Sequence, residues 1–232
     1  MSISAIVIAR NEEIRIARCL SSLSWVDETI VIDNGSKDGT AKIAKLKGAT
    51  VVESDAKSFA ERRNIGLKKA KGDWILYVDA DEVVSEELQK EIQKLITHHS
   101  SLVNGYEIRR KNYYLGYPWP YSDRMIRVIR KNALMKWEGV LHEHPIIKGD
   151  IGVLTIPLVH NTHRTLEEMV AKTNEWSEVE AKLRFDVGHP PVVWWRFIRV
   201  MLTAFFNSSI RQGGWRVGVV GWIESIYQSF SI

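Results

Sequence analysis

Apolar residues in the first hundred positions fall into short unbroken runs, separated by stretches with helical spacing. Ile3–Ala9 is an apolar run of strand length. Glu12–Leu23 follows as a helix, with Ile16, Ala17, Leu20 and Leu23 on one face. Thr29–Ile32 reads as a second strand, Thr40–Lys47 as a helix and Thr50–Glu53 as a third strand. Ser58–Ala70 is a helix whose end is marked by Lys68, Lys69, Lys71 and Gly72, residues that suit a C-terminus. Trp74–Val78 is a strand, and Ser85–Ile96 a helix capped by Ser85. Beyond residue 100 the pattern changes. Tyr106–Asn112 and Met125–Arg130 read as strands rich in charge, and Trp137–Pro145 and Ile151–Val159 as short strands or loops. A helix runs from Thr165 to about Phe185, opened by a Thr165/Glu168 capping box. No internal repeat or low-complexity segment is present.

Strand–helix alternation with unalternating apolar strands predicts an α/β fold: a mostly parallel central sheet with helices on both faces. In such sheets ligands bind beyond the carboxyl ends of the strands. Three polar clusters fall there: Arg10-Asn11-Glu12, Asp33-Asn34-Gly35-Ser36 and Asp79-Ala80-Asp81. Each alone fits turn chemistry. Three at one sheet edge predict a site.

Composition narrows the class. The 232 residues suit one large domain, or one domain with an appendage. With 45% apolar and 26% charged residues the chain is globular rather than disordered. A net charge of +4 permits an anionic ligand or surface. The basic residues are spread along the chain with no nucleic-acid module, so nucleic acid is not expected as a partner. The single cysteine, Cys19, rules out an internal disulfide, fits a reducing compartment and reads as a packing residue. No signal peptide is visible, and no apolar run reaches the roughly 20 residues that span a bilayer. The expected location is cytoplasmic.

Asp79 and Asp81 stand at i and i+2 just past a strand, where both can reach one ligand. Hard divalent cations take oxygen ligands and commonly bridge carboxylates to phosphates. The cation then offsets charge on a diphosphate leaving group. In the second cluster, Gly35 and Gly39 permit tight turns, and Asp33 or Asn34 can hydrogen-bond a nucleobase edge.

Taken together, Ile6-Val7-Ile8-Ala9-Arg10-Asn11-Glu12, Val31-Ile32-Asp33-Asn34-Gly35-Ser36-Lys37-Asp38-Gly39-Thr40, Arg63-Asn64-Ile65-Gly66 and Asp79-Ala80-Asp81-Glu82 resemble glycosyltransferase family 2. Further on, Arg127 to Arg130, Trp137-Glu138-Gly139, His142-Glu143 and Leu158-Val159-His160, then Leu166-Glu167-Glu168-Met169, are similar to its lipopolysaccharide core β-glucosyltransferase-like branch. The resemblance implies a GT-A (Rossmann-like) fold over residues 1–164. Within it, 1–100 would form the nucleotide-sugar half and 101–164 the acceptor side. It implies a nucleotide-diphospho-sugar donor (a UDP-hexose as the family expectation), Mg²⁺ or Mn²⁺, an inverting mechanism and a lipid-linked or lipopolysaccharide-type acceptor. By position, Ala9, Arg10, Asn11 and Glu12 would line the nucleotide and Asp33 would contact the base. The family often has Asp-Asp where this chain has Asp33-Asn34. Arg63 would lie near the diphosphate, Asp79 would face the ribose or sugar, and Asp81 would bind the metal.

An inverting transfer needs a carboxylate to take the acceptor hydroxyl's proton. The family commonly supplies it from a Glu-Asp pair that is absent here in that form. His142-Glu143 occupies the comparable place, so Glu143 is the expected base, with Glu138 and Asp123 as the next candidates. A late histidine can complete the metal shell, which nominates His160. His98, His99 and His189 have no such context. Two other classes compete. A sugar-1-phosphate nucleotidylyltransferase would open with a glycine-rich loop where Ala9-Arg10-Asn11-Glu12 stands, and a non-catalytic sugar-nucleotide module would not need both Asp79 and Asp81.

Four of the nine tryptophans, Trp194, Trp195, Trp215 and Trp222, crowd the end of the chain beside Arg196, Arg199, Arg211 and Arg216, with Glu224 the only acid. Trp194, Ile198, Met201, Leu202 and Phe205 make one helical stripe, and Arg196, Arg199, Thr203 and Asn207 the other. Residues 165–232 are therefore expected to form C-terminal amphipathic helices. These either touch a membrane peripherally or pack on the catalytic domain or another subunit.

Overall fold

A computed structural model describes residues 1–97, 103–139, 143–162, 164–186, 188, 190 and 193–231. His98, His99, His142 and His189 fall outside the described residues. The first half alternates as expected: β1 (Ile3–Ala9), α1 (Ile16–Ser21), β2 (Glu28–Asp33), α2 (Thr40–Leu46), β3 (Thr50–Glu53), α3 (Phe59–Lys69), β4 (Trp74–Asp79), the two-residue β5 (Glu82–Val83) and α4 (Glu86–Thr97). Longer strands follow: β6 (Val103–Tyr114), β7 (Tyr117–Pro118), β8 (Arg124–Arg130), β9 (Leu134–Glu138), β10 (His144–Ile147), β11 (Asp150–Val153) and β12 (Leu158–Thr162). The chain ends in α5 (Leu166–Asp186), α6 (Trp194–Phe206) and α7 (Val219–Phe230).

The sheet order is β3-β2-β1-β4-β8-β6-β12-β5. The first four strands are parallel, while β8 runs antiparallel to β4 and to β6. Each central strand feeds two cores because successive side chains point to opposite faces. Val7, Leu76 and Val78 pack with Ile16 and Leu20 of α1 and Leu88 and Ile92 of α4. Ile6, Ile75 and Tyr77 pack on the other face with Ala60 of α3. Burial on both faces is why these strands read as apolar runs rather than alternating ones.

Helix α1 begins later than its apolar spacing predicts. Asn11 adopts a left-handed φ of 56°, and the backbone N–H groups of Asn11, Glu12 and Glu13 donate to Ser36 Oγ, Thr40 Oγ1 and Asp38 Oδ2. A loop partner claims these groups, so the helix starts only after them. Helix α3 shows the opposite case. Ser58 Oγ accepts the Glu61 N–H and Glu61 answers to the Ser58 N–H, a full capping box.

Contacts divide the chain into two units, Met1–Arg110 with Asp123–His160, and Lys111–Ser122 with Asn161–Ile232. In the second unit, Trp119 Nε1 donates to Gln212 Oε1 at 3.1 Å. The Tyr227 hydroxyl of α7 meets Thr173 and donates to the Met169 carbonyl of α5. Among the described residues no helix is long and apolar enough to cross a membrane.

Candidate active site

Strand register brings the three polar clusters to one edge. Ala9 is the partner of Asp33, and Ile8 the partner of Asp79. The loop after β1 is laced to the loop after β2: the Asn11 side chain accepts the Lys37 N–H at 2.8 Å, and Glu13 accepts the Gly39 N–H at 2.7 Å. Asp33 is buried and accepts the Ser36 hydroxyl. Asp38 accepts both the backbone N–H and the hydroxyl of Thr40. The run Asp33 to Thr40 is thus a shelf hydrogen-bonded to Asn11, Glu12 and Glu13. Arg10 is exposed, and Asn34 is half-buried beside it on the loop.

The motif Arg63-Asn64-Ile65-Gly66 has three separable tasks. Asn64 pairs with the Trp137 backbone in both directions, at 2.9 and 2.8 Å, and ties α3 to β9. Gly66 lets α3 close on β1, since a Cβ there would stand 2.4 Å from Ile6 Cγ2. Arg63 lies over the rings of Trp137 and Tyr77 and reaches two acids. Its Nη2 is 3.1 Å from both Asp79 Oδ1 and Glu143 Oε1.

Arg63 begins an alternating series of acids and guanidinium groups: Glu143, Arg63, Asp79, Arg127, Glu82, Arg110, Asp123. Arg127, 1% exposed, takes both oxygens of Asp79, at 2.6 and 3.3 Å, and Glu82 Oε1 at 2.9 Å. Arg110 lies 3.5 Å from Glu82 and holds Asp123 at 2.5 Å. Burial by itself would raise the Asp79 carboxyl, but Arg127 and Arg63 outweigh it and hold Asp79 well below the usual carboxylate range. For Glu82 burial prevails over Arg127 and pushes the carboxyl up. The Arg127 guanidinium is driven further up by Asp79 and Glu82, against its own burial.

Asp81 faces the other way. Its Oδ2 lies 3.3 Å from His160 Nε2 and 4.0 Å from Arg15 Nη1, and Arg15 pairs with Glu12 at 2.6 Å. The short pairing of β5 with β12, Glu82 opposite His160, makes this approach. No group of three acidic, histidine or cysteine side chains suited to a metal occurs among the described residues. Asp81 and His160 offer one carboxylate oxygen and one imidazole nitrogen, a donor pair that Mn²⁺ accepts readily and Mg²⁺ accepts with oxygen ligands from phosphate and water.

A cleft of about 600 Å³ opens beside the arginine–carboxylate series, lined by Arg63, Asp79, Arg127, Trp137, Glu143 and His144 among others. Of the three candidate bases, Glu143 lines it. Asp123 is held by Arg110 at its border. Glu138 pairs with Lys136 on a half-exposed edge and does not line it. Cys19 is buried, and its thiol is pushed up by burial and the nearby Glu82 and Asp81. Sequence reasoning missed Arg15, Glu82, Arg110 and the role of Arg127. Glu82 and Arg127 lay inside quoted motifs, whereas Arg15 and Arg110 carried no signal beyond their charge.

The site is thus built from a parallel α/β half that delivers acids to one edge and antiparallel strands that add Arg110 and Arg127. Residues 4–148 match "Glycosyl transferase family 2", and the chain belongs to that family. It is 26% identical over 240 residues to the lipopolysaccharide core biosynthesis glycosyltransferase LpsC of Rhizobium meliloti (strain 1021), covering 97% of this chain and 87% of that protein. It is 28% identical over 244 residues to the glycosyltransferase RP128 of Rickettsia prowazekii (strain Madrid E), covering 99% and 83%. Among solved structures it resembles S. aureus TarS 1-349 in complex with UDP-GlcNAc (TM-score 0.53, 19% identity, 97% of this chain and 79% of that one). It also resembles glucosyl-3-phosphoglycerate synthase from Mycobacterium tuberculosis in complex with Mn²⁺, UDP and glucosyl-3-phosphoglycerate (TM-score 0.51, 20% identity, 82% and 81%). These likenesses show the GT-A fold. The chain is a glycosyltransferase, which sets aside the nucleotidylyltransferase reading and the non-catalytic module.

Proposed function

We propose that this enzyme moves a hexose from a UDP-sugar to a lipid-linked or lipopolysaccharide-type glycan, with inversion at the anomeric carbon. The observation that carries the reading is the 3.3 Å approach of His160 to Asp81, next to Asp79 and at the same sheet edge as the laced Asn11 and Asp33 loops. Ala9, Arg10, Asn11, Glu12, Asp33 and Asn34 form the nucleotide shelf. Asp79 faces the sugar or ribose, and Arg63 stands where it meets the diphosphate. Asp81 and His160 would hold Mg²⁺ or Mn²⁺, which would supply positive charge for the leaving diphosphate. The relatives point the same way: one is a lipopolysaccharide core enzyme, and the solved structures hold UDP-GlcNAc, or UDP with Mn²⁺.

Glu143 is the base. It lines the cleft, and its distance to Arg63 ties it to the same cation that touches Asp79. A carboxylate so placed accepts the acceptor hydroxyl's proton while the sugar carbon is attacked from the face opposite the diphosphate. A donor screen tests the reading: UDP-glucose, UDP-GlcNAc and GDP-mannose, each with Mg²⁺ or Mn²⁺, followed by nucleotide release. Release from a UDP-hexose that chelator abolishes is the expected result. Full release in chelator would remove Asp81 and His160 from the metal role.

The C-terminal unit supplies the acceptor's setting: the enzyme sits peripherally on the inner face of the cell membrane. Trp194, Ile198 and Leu202 of α6 lie at helical spacing and are 80%, 47% and 64% exposed. Val219, Trp222, Ile226 and Phe230 of α7 are exposed as well, while Gly221, Glu224, Ser225 and Ser229 are buried. Helix α7 therefore carries small and polar residues inside and apolar residues outside, and α6 buries only Ala204. Close contact of small residues draws the backbone together, since a Cβ on Gly221 would stand 1.8 Å from the Gly214 carbonyl oxygen. Arg199 and Arg216 lie over Trp195 and Trp215, a pairing that suits the headgroup layer. Flotation with anionic and neutral vesicles tests this: binding to anionic vesicles that salt weakens supports it, and a chain that stays in the soluble fraction with both refutes it.

A further inference from the structure

Glu82 follows Asp81 directly and has 0% exposure. Its backbone partner across the β5–β12 pairing is His160. Its two carboxylate oxygens hold different things. Oε2 accepts the Asp79 backbone N–H at 2.8 Å, while Oε1 accepts Arg127 Nη2 at 2.9 Å and lies 3.5 Å from Arg110. Arg127 in turn holds both oxygens of Asp79.

We propose that Glu82 is a positioning residue for the transfer reaction: it fixes Asp79 twice, through the Asp79 backbone and through Arg127, while touching no substrate itself. The proposal rests on the sugar side of the Asp79 reading, its contact to the transferred hexose, which is not part of UDP. A carboxylate is the side chain this place requires. It accepts on both oxygens, whereas an amide has one acceptor and one donor end. Glutamine here must therefore surrender either the Asp79 N–H or Arg127, and whichever it surrenders faces an N–H group. Arg127 needs its fork for the same reason: a guanidinium reaches Asp79 and Glu82 at once in a fixed plane, and an ammonium is a single point of charge. The arrangement also explains why so acid-rich a strand end tolerates an anionic donor. Arg63, Arg127 and Arg110 are interleaved with the acids, so no two neighbouring carboxylates face each other without a cation between them.

The competing reading is that Glu82 only balances two buried guanidinium groups. Glu82→Gln and Arg127→Lys separate the two. If Glu82 positions Asp79, both variants lose about 100-fold in kcat, the effect expected of a reacting group displaced by about 1 Å. Their affinity for UDP stays within about threefold of the parent, because the nucleotide shelf is untouched. Amide exchange in the peptide 74–83 speeds up, while exchange in 3–9 does not. Two results would overturn the proposal. One is a kcat unchanged in either variant. The other is a parallel fall of kcat, UDP affinity and Tm with exchange raised throughout, which marks a merely structural charge. The exchange arm requires no donor, so it decides on the Glu82 clamp separately from the donor screen that decides on UDP-sugar transfer.

Discussion

In the unit that carries Asp79 and Asp81, apolar strands fill the inside and charge gathers at one sheet edge. In the α6–α7 segment the order is reversed: Ser208, Ser209, Gly221, Glu224 and Ser225 are buried, and Trp194, Leu202, Trp222, Ile226 and Phe230 face outward. The same driving force produces both. Apolar surface avoids water, and each buried polar group needs a partner. The first unit meets the first demand internally and pairs the buried Arg63 and Arg127 with carboxylates. In the helix pair Ser225 bonds to the Gly221 carbonyl and Gln228 to Glu224, while Trp194, Leu202, Trp222 and Phe230 stay exposed. The membrane contact proposed above rests on this contrast.

Four variants sharpen or break this contrast. Glu143→Gln is expected to lower kcat about 10²–10⁴-fold, the usual worth of a positioned base, with donor binding nearly intact by calorimetry. Asp81→Asn should cost about 10²–10³-fold in kcat and weaken Mn²⁺ binding in the presence of UDP, read by electron paramagnetic resonance; unchanged Mn²⁺ affinity would free Asp81 of the metal role. Gly66→Ala drives a methyl to within 2.4 Å of Ile6 Cγ2 in a packed core. It should destabilise by about 1–3 kcal/mol, seen as a lower thermal midpoint. The smallest effect on folding belongs to the other region. Trp194→Ser with Leu202→Ser should move stability by no more than about 0.5 kcal/mol each, as exposed positions do, while binding to anionic vesicles falls sharply. A large loss of stability instead would mean that these residues pack within the protein.

The apolar runs and helical spacings of residues 1–97 determined the alternating elements, because strands buried on both faces and helices on one face need those patterns whatever surrounds them. The same spacing overextended α1, whose expected first turn gives its N–H groups to Ser36, Asp38 and Thr40, partners about 25 residues away in sequence and invisible to local propensity. The three polar clusters could be read at strand ends, since chain order in a parallel sheet sends those ends to one edge. Which acid meets which cation could not. Asp79 and Arg127 are 48 residues apart, and Arg63 and Glu143 are 80 apart. The sequence nominated Glu143 first, with Glu138 and Asp123 behind it, and tertiary packing seated Glu143 in the cleft, Asp123 on Arg110 and Glu138 on Lys136. Composition alone determined that the end of the chain is rich in tryptophan and arginine. That Ser225 and Ser229 turn inward goes with the close approach of the turn at Gly214 to Gly221 of α7, a contact that side-chain size permits and linear periodicity does not specify.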